Sequence, residues 1–218
     1  MPKRRAPPER FGAPVDSHPN RPRPGGAESE LRIVGGTLRG RRLTYDGDPR
    51  TRPMKERVRE AVFNLLGPDV VGKHAIDLFA GTGALGLEAI SRGAVRATFF
   101  ERHFPTAESV RQNAERLGVS DRCQVIAANT MLHFRRSEPI AQGPAAEPWL
   151  VFCSPPYSVY VEHWPELQAT LETIIRLAPA GSRIVVEAED GFDFGQLDQP
   201  ERWFRRDYPP AAIAMLET

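Results

Sequence analysis

The chain has 218 residues, 40% of them hydrophobic, which suits one sizeable domain with small additions. Its two cysteines exclude a disulfide framework, its five histidines show no metal-ligand spacing, and no apolar run approaches the ~20 residues of a membrane span. Residues 1–60 carry 15 Lys/Arg against 8 Asp/Glu while residues 61–218 carry 14 against 20, so a net charge of +1 hides a basic end of the kind that grips polyanions.

Residues 1–30 are rich in proline, basic and poor in large apolar side chains, which predicts a disordered tail. They contain no hydrophobic signal region, and a cytoplasmic protein is expected. Residues 31–50 change character. Ile33 and Val34 lead into Gly35 and Gly36, and Leu43 leads out of Gly40 and two arginines, which predicts a small β-hairpin. Arg32, Arg39, Arg41 and Arg42 would lie close together on it.

Residues 51–66 read as a helix, with Thr51 as its cap and Pro53 and Glu56 in its first turn. Val58, Ala61, Val62, Leu65 and Leu66 recur at helical spacing and face a core; Arg52, Lys55, Arg57 and Arg59 lie mainly off that stripe. Strands and helices then alternate. Strands are expected at about 75–79, 96–101, 123–127, 149–153 and 183–187, and helices at about 83–92, 105–117, 129–135 and 164–177. Two last strands, about 202–207 and 211–216, close the chain as an antiparallel hairpin. The alternation implies an α/β fold on a parallel sheet with right-handed crossovers, spanning residues 51–218.

Gly81-Thr-Gly83 joins the strand that carries Asp77 and Phe79 to a helix N-terminus, so backbone N–H groups can approach a ligand closely. With Gly86 the spacing matches the dinucleotide fingerprint, and NAD is one reading. Asp77, four residues before the first glycine, would repel a pyrophosphate and suits an aminium group instead. Glu101 ends the next apolar run, where a carboxylate can accept both hydroxyls of a ribose. This set resembles the S-adenosylmethionine pocket of Rossmann-like methyltransferases.

Cys153-Ser-Pro-Pro-Tyr157 follows the fourth strand, whose C-terminal end would sit beside the glycine loop. Two prolines fix the backbone and leave carbonyls without local N–H partners, and Tyr157 offers a stacking face for a base. A proline carbonyl with the Ser154 oxygen can accept hydrogens from an exocyclic amine and aim its nitrogen at a methyl donor. NAD enzymes have no need of such a loop, which favours S-adenosylmethionine.

Over residues 31–218 the chain resembles the RsmD-type 16S ribosomal RNA guanine-N2 methyltransferases of bacteria. The residues that carry the likeness are Arg32 to Gly36, Arg39 to Arg41, Arg52-Pro53, Arg57 to Asn64, Asp77 to Ala89, Ser91 to Ala94 and Glu101. The resemblance implies a Rossmann-like, seven-stranded methyltransferase sheet with a small N-terminal β-hairpin extension. It also implies small-subunit rRNA, or an assembly intermediate, as partner of a monomer that needs neither membrane nor metal. Asp77, Phe79, Gly81 and Gly83 would hold the methionine end of S-adenosylmethionine, Glu101 its ribose and Asn129 its adenine. Ser154, Pro155, Pro156 and Tyr157 would form the catalytic loop, with Arg32, Arg39, Arg41, Arg42, Arg52 and Arg57 on the RNA. The family usually has Asp or Asn in place of Ser154. Cytosine-N4 DNA methyltransferases share Ser-Pro-Pro-Tyr, but commonly before the glycine loop rather than after it. The alternatives are an amino-methyltransferase for another base, adenine-N6 or cytosine-N4, in DNA or RNA, and a non-catalytic rRNA assembly factor.

Overall fold

A computed structural model describes residues 31–45, 54–136 and 147–218. The predicted tail, Thr51, Arg52, Pro53 and most of the loop at 137–148 lie outside the described residues. In chain order the elements are α1 Glu56–Leu66, β1 His74–Asp77, α2 Ala84–Ser91, β2 Arg96–Phe100 and α3 Phe104–Leu117. There follow β3 Cys123–Ile126, α4 Thr130–Arg135, β4 Trp149–Cys153, α5 Tyr157–Glu162 and α6 Trp164–Leu177. The last are β5 Arg183–Glu189, β6 Phe204–Tyr208 and β7 Ala211–Glu217.

The strands form one seven-stranded sheet in the order β3-β2-β1-β4-β5-β7-β6. The first five are parallel, and β7 runs antiparallel between β5 and β6. The chain winds outward from β1 to β3, then returns to start again at β4 beside β1. That reversal leaves a crevice above the C-terminal ends of β1 and β4, where ligands bind in open α/β sheets.

Strand residues alternate between two apolar layers, as the period of two demands. Phe99 and Phe152 pack with α1, α2 and α3, where Val62, Phe63 and Ile90 also lie. Ile76, Phe100 and Val151 pack on the other face with Leu167, Leu171 and Ile174 of α6. With both faces covered, the central strands read as nearly continuous apolar runs.

Three local readings differ from the sequence expectation. The first helix begins at Glu56, because Lys55 has extended backbone (φ −55°, ψ 137°) and brings no side-chain cap. Arg59 is fully buried rather than off the apolar stripe, because the buried Glu88 of α2 faces it at 3.6 Å. Residues 157–162, for which the sequence predicted no element, form the short helix α5.

Residues 31–45 turn back on themselves through an antiparallel bridge between Arg32 and Arg42. Ile33 N donates to Arg41 O at 2.9 Å and Leu43 N to Leu31 O at 2.8 Å. The segment packs into the main core through Ile33 and Leu43. Glu88 staples it to α2, accepting from Val34 N and Gly35 N, both at 2.7 Å. Gly36 has a φ of +77°, and a Cβ there would lie 2.0 Å from Ser91 O, so only glycine fits this close approach.

Candidate active site

The loops after β1, β2, β3 and β4 and the end of β5 enclose a cavity of about 750 Å³ at the switch point. Its wall includes Phe79, Gly81, Glu101, Asn129 and all of Ser154 to Tyr157. Ten sequence-chosen residues were expected at the site, and these eight meet in one cavity. Asp77 and Gly83 do not stand on the wall.

Asp77 ends β1 and is buried. Its Oδ2 accepts from Gly86 N at 3.3 Å, in the first turn of α2, and so satisfies an N–H that the helix leaves unpaired. Its Oδ1 is buried without a hydrogen-bond partner. Desolvation pushes the carboxyl up to about 7, against the backbone N–H groups of Gly86 and Phe79, which draw it down. Gly83 turns the chain into α2 at φ +76°, and a Cβ there would meet Val110 Cγ1 at 2.9 Å. Gly86 lets α2 lie on the sheet, since its Cβ would fall 2.3 Å from the Phe99 ring. Gly83 and Gly86 thus shape the turn from behind, while Gly81 faces the cavity.

Glu101 stands one residue past β2. Its Oε2 accepts from Gly81 N at 3.0 Å and its Oε1 from His103 N at 2.8 Å. The carboxylate therefore ties the glycine turn to the next loop, and each oxygen keeps a further lone pair for a ligand. Asn129 caps α4, its Oδ1 accepting from Leu132 N at 3.2 Å.

On the other side of the crevice, Pro155 is buried and Pro156 is the N-terminal flank of α5. The Pro156 carbonyl accepts from Val159 N at 2.9 Å, so of the two proline carbonyls expected to be free, one serves the helix. The Ser154 hydroxyl donates to Glu187 Oε2. Glu187, which sequence reasoning treated only as the end of a strand, is buried and lines the same cavity. Burial raises its carboxyl above the usual carboxylate range, and the Ser154 hydroxyl partly offsets this. The signal available in the sequence was an acid inside the apolar run Ile184-Val-Val-Glu-Ala188.

The predicted RNA arginines divide. Arg32 pairs with Glu56 through Nη2 to Oε1 at 3.0 Å and Nε to Oε2 at 3.3 Å. Its side chain holds the Glu56 carboxyl below the usual range. Arg41 donates to Arg116 O at 2.9 Å and Arg57 to Pro209 O at 3.0 Å. Arg39 and Arg42 are exposed on the 31–45 segment, and Arg52 lies outside the described residues. Lys55, Arg102 and Arg135, not singled out from the sequence for this role, stand on the cavity wall. Among the described residues no group of acids, histidines and cysteines is placed to hold a metal, and no helix is long and apolar enough to cross a membrane.

The family described as "Conserved hypothetical protein 95" matches residues 31–208. The chain belongs to that family, that of the RsmD-type methyltransferases. The Ribosomal RNA small subunit methyltransferase D of Escherichia coli K12 is 41% identical over 102 residues, 47% of this chain and 51% of that protein. Its counterpart of the same name in Haemophilus influenzae is 34% identical over 133 residues, 60% of this chain and 66% of its own length. The matched part thus spans about half of the first relative and just under two thirds of the second. The solved structure of "Putative methyltransferase yhhF from Escherichia coli" superposes with a TM-score of 0.67 at 28% identity, covering 85% of this chain and 96% of that one. The fold is the Rossmann-like α/β methyltransferase fold.

Proposed function

We propose that the protein is an S-adenosylmethionine-dependent methyltransferase that modifies the exocyclic N2 of a guanine in small-subunit ribosomal RNA. The observation that carries the reading is that the glycine turn with Glu101 and the Ser154–Tyr157 loop face one cavity. Its volume of about 750 Å³ lies within the range of roughly 300–1,000 Å³ typical of ligand sites. The residues present fit the cofactor: Glu101 offers lone pairs suited to vicinal hydroxyls, and the buried, unpartnered Asp77 Oδ1 leaves an acceptor close behind the turn. The names of the relatives matched over part of their length, small-subunit rRNA methyltransferases, support the substrate class.

When bound, S-adenosylmethionine supplies an electrophilic methyl group on sulfur. The chain supplies placement. Tyr157 gives a face for a base turned out of its stack, and the rigid Pro155-Pro156 pair fixes the depth to which it enters. The Pro155 carbonyl and Ser154 Oγ accept the amine hydrogens and orient the nitrogen lone pair for in-line attack. Outside the cavity, Arg39 and Arg42, with Arg32, Arg41 and Arg57, meet RNA phosphates, Lys55, Arg102 and Arg135 flank the entering nucleotide, and Arg52 is assigned an RNA contact from the sequence alone. On this reading the protein works as a monomer in the cytoplasm, on rRNA or an assembly intermediate.

The test is methyl transfer from labelled S-adenosylmethionine to small-subunit rRNA and to assembly intermediates, followed by nucleoside analysis. The expected product is N2-methylguanosine at one position. Label on adenosine or cytidine, or none on any substrate, overturns the reading.

A further inference from the structure

Glu187 and Ser154 come together because β4 and β5 are parallel neighbours, with Cys153 opposite Val186 in register. One step further along both chains brings Ser154 beside Glu187 at the C-terminal edge of the sheet. Both line the cavity. The Ser154 hydroxyl makes the one hydrogen bond that reaches the Glu187 carboxylate among the described residues, and it falls on Oε2. Tyr160, from α5, donates to the Glu187 backbone carbonyl at 2.5 Å and steadies the strand end.

This contact fixes the polarity of the wall. A serine hydroxyl has a single hydrogen, and Ser154 spends it on Glu187, so towards the cavity it presents lone pairs only. A carboxylate is likewise an acceptor, as is the Pro155 carbonyl. The three groups form an edge with acceptors and no donor. Among the amino-bearing bases, guanine alone sets a second donor, N1–H, beside its amine. Adenine and cytosine set a ring-nitrogen acceptor there, which would face these lone pairs unpaired.

Resting on the reading above as a guanine-N2 methyltransferase, we propose that Glu187 is a base-reading residue: its Oε1 accepts guanine N1–H while Ser154 and Pro155 accept from N2. The residue supplies the carboxylate that the family usually carries at the position of Ser154, from the neighbouring strand. Burial leaves Glu187 short of donors, and the base edge restores them. The titratable groups that feel its charge are Cys153 and Tyr160, and Tyr157 and Glu189 line the same cavity.

The experiment uses the full chain and small-subunit RNA in which the methylated position, once mapped, carries either guanosine or 2-aminopurine riboside. The analogue keeps the 2-amino group but has an unprotonated N1. In single turnover the wild type should prefer guanosine by about a hundredfold, because a buried acceptor left facing a lone pair is costly. Glu187→Gln should slow transfer to guanosine by about ten- to a hundredfold and cut the preference below about tenfold, because its amide can donate to the bare nitrogen. Calorimetry with S-adenosylhomocysteine checks the fold of the variant. Glu187→Asp, the second variant, keeps the carboxylate and should keep the preference at a lower rate. An unchanged preference in Glu187→Gln, or its loss in Glu187→Asp, overturns the assignment. Wild-type product on adenosine or cytidine overturns the guanine reading itself, so the two failures are told apart by the identity of the methylated base.

Discussion

Glu101 and Glu187 stand on opposite sides of the switch point and are held in different ways. Glu101 accepts from two backbone N–H groups, Gly81 and His103. Glu187 accepts from one side-chain hydroxyl, that of Ser154. Backbone donors belong to the turn itself, so the Glu101 side is built by the glycine loop whatever the neighbouring side chains are. The Glu187 side depends on a single residue from another strand. The difference teaches that one half of the cavity is fixed by main-chain geometry and the other can be retuned by one substitution.

The largest effect is expected beneath the glycine turn, at Asp77. Its folded carboxyl lies at about 7, against an ordinary value of 3.8. Between these values the folded state holds a proton that the unfolded state has released, so stability falls as pH rises through this window. Above it the buried charge costs on the order of a few kcal/mol. Asp77→Asn should therefore raise the melting temperature of the ligand-free protein at pH 8, and the gain should vanish below about pH 4. A melting series across pH checks this; a gain that is the same at both ends would show that Asp77 is not the titrating group.

Glu101→Ala comes next. It removes the acceptor for Gly81 N and the lone pairs that the proposed function assigns to the ribose. Calorimetry should show cofactor binding weaker by about 1–3 kcal/mol, with transfer at saturating cofactor less affected. Unchanged affinity would leave Glu101 as a loop latch only.

Ser154→Ala should have the smallest effect, slowing single-turnover methyl transfer by less than about tenfold, since a neutral hydroxyl contributes roughly 0.5–1.5 kcal/mol. Cofactor affinity should stay unchanged, because Ser154 belongs to the other half. Ser154→Asp sets a carboxylate against Glu187 and should be slower than Ser154→Ala at neutral pH, despite restoring the family's usual acid. A faster Ser154→Asp enzyme would mean that Glu187 swings away and that the cavity's acceptor edge is not fixed.

Much of this was legible in the sequence, because it is written in short-range patterns. The alternation of strands and helices follows from apolar spacing, and helix α6 falls at residues 164–177 as read. Gly81, Glu101 and the Ser154–Tyr157 loop were readable because each lies within four residues of a strand's C-terminal end, and parallel strands deliver those ends to one edge. Gly83 and Asp77 were expected from the sequence to hold the ligand themselves, but the fold sets both behind the wall of the site. Helix α5 was hidden because a six-residue helix after two prolines has too few turns to show a period.

What the sequence by itself determined is the α/β class, the order of the elements and the loops that meet at the cavity. These depend on steric and hydrophobic preferences that act within a few residues. Tertiary structure alone decided that Arg59 is buried against Glu88, that Gly36 lies against Ser91, and that β7 slots between β5 and β6. It also decided that Ser154 meets Glu187 across 33 residues of chain. Such pairs depend on strand register and on which helix covers which face. Those are settled by packing the whole core at once, so no local stretch of sequence encodes them.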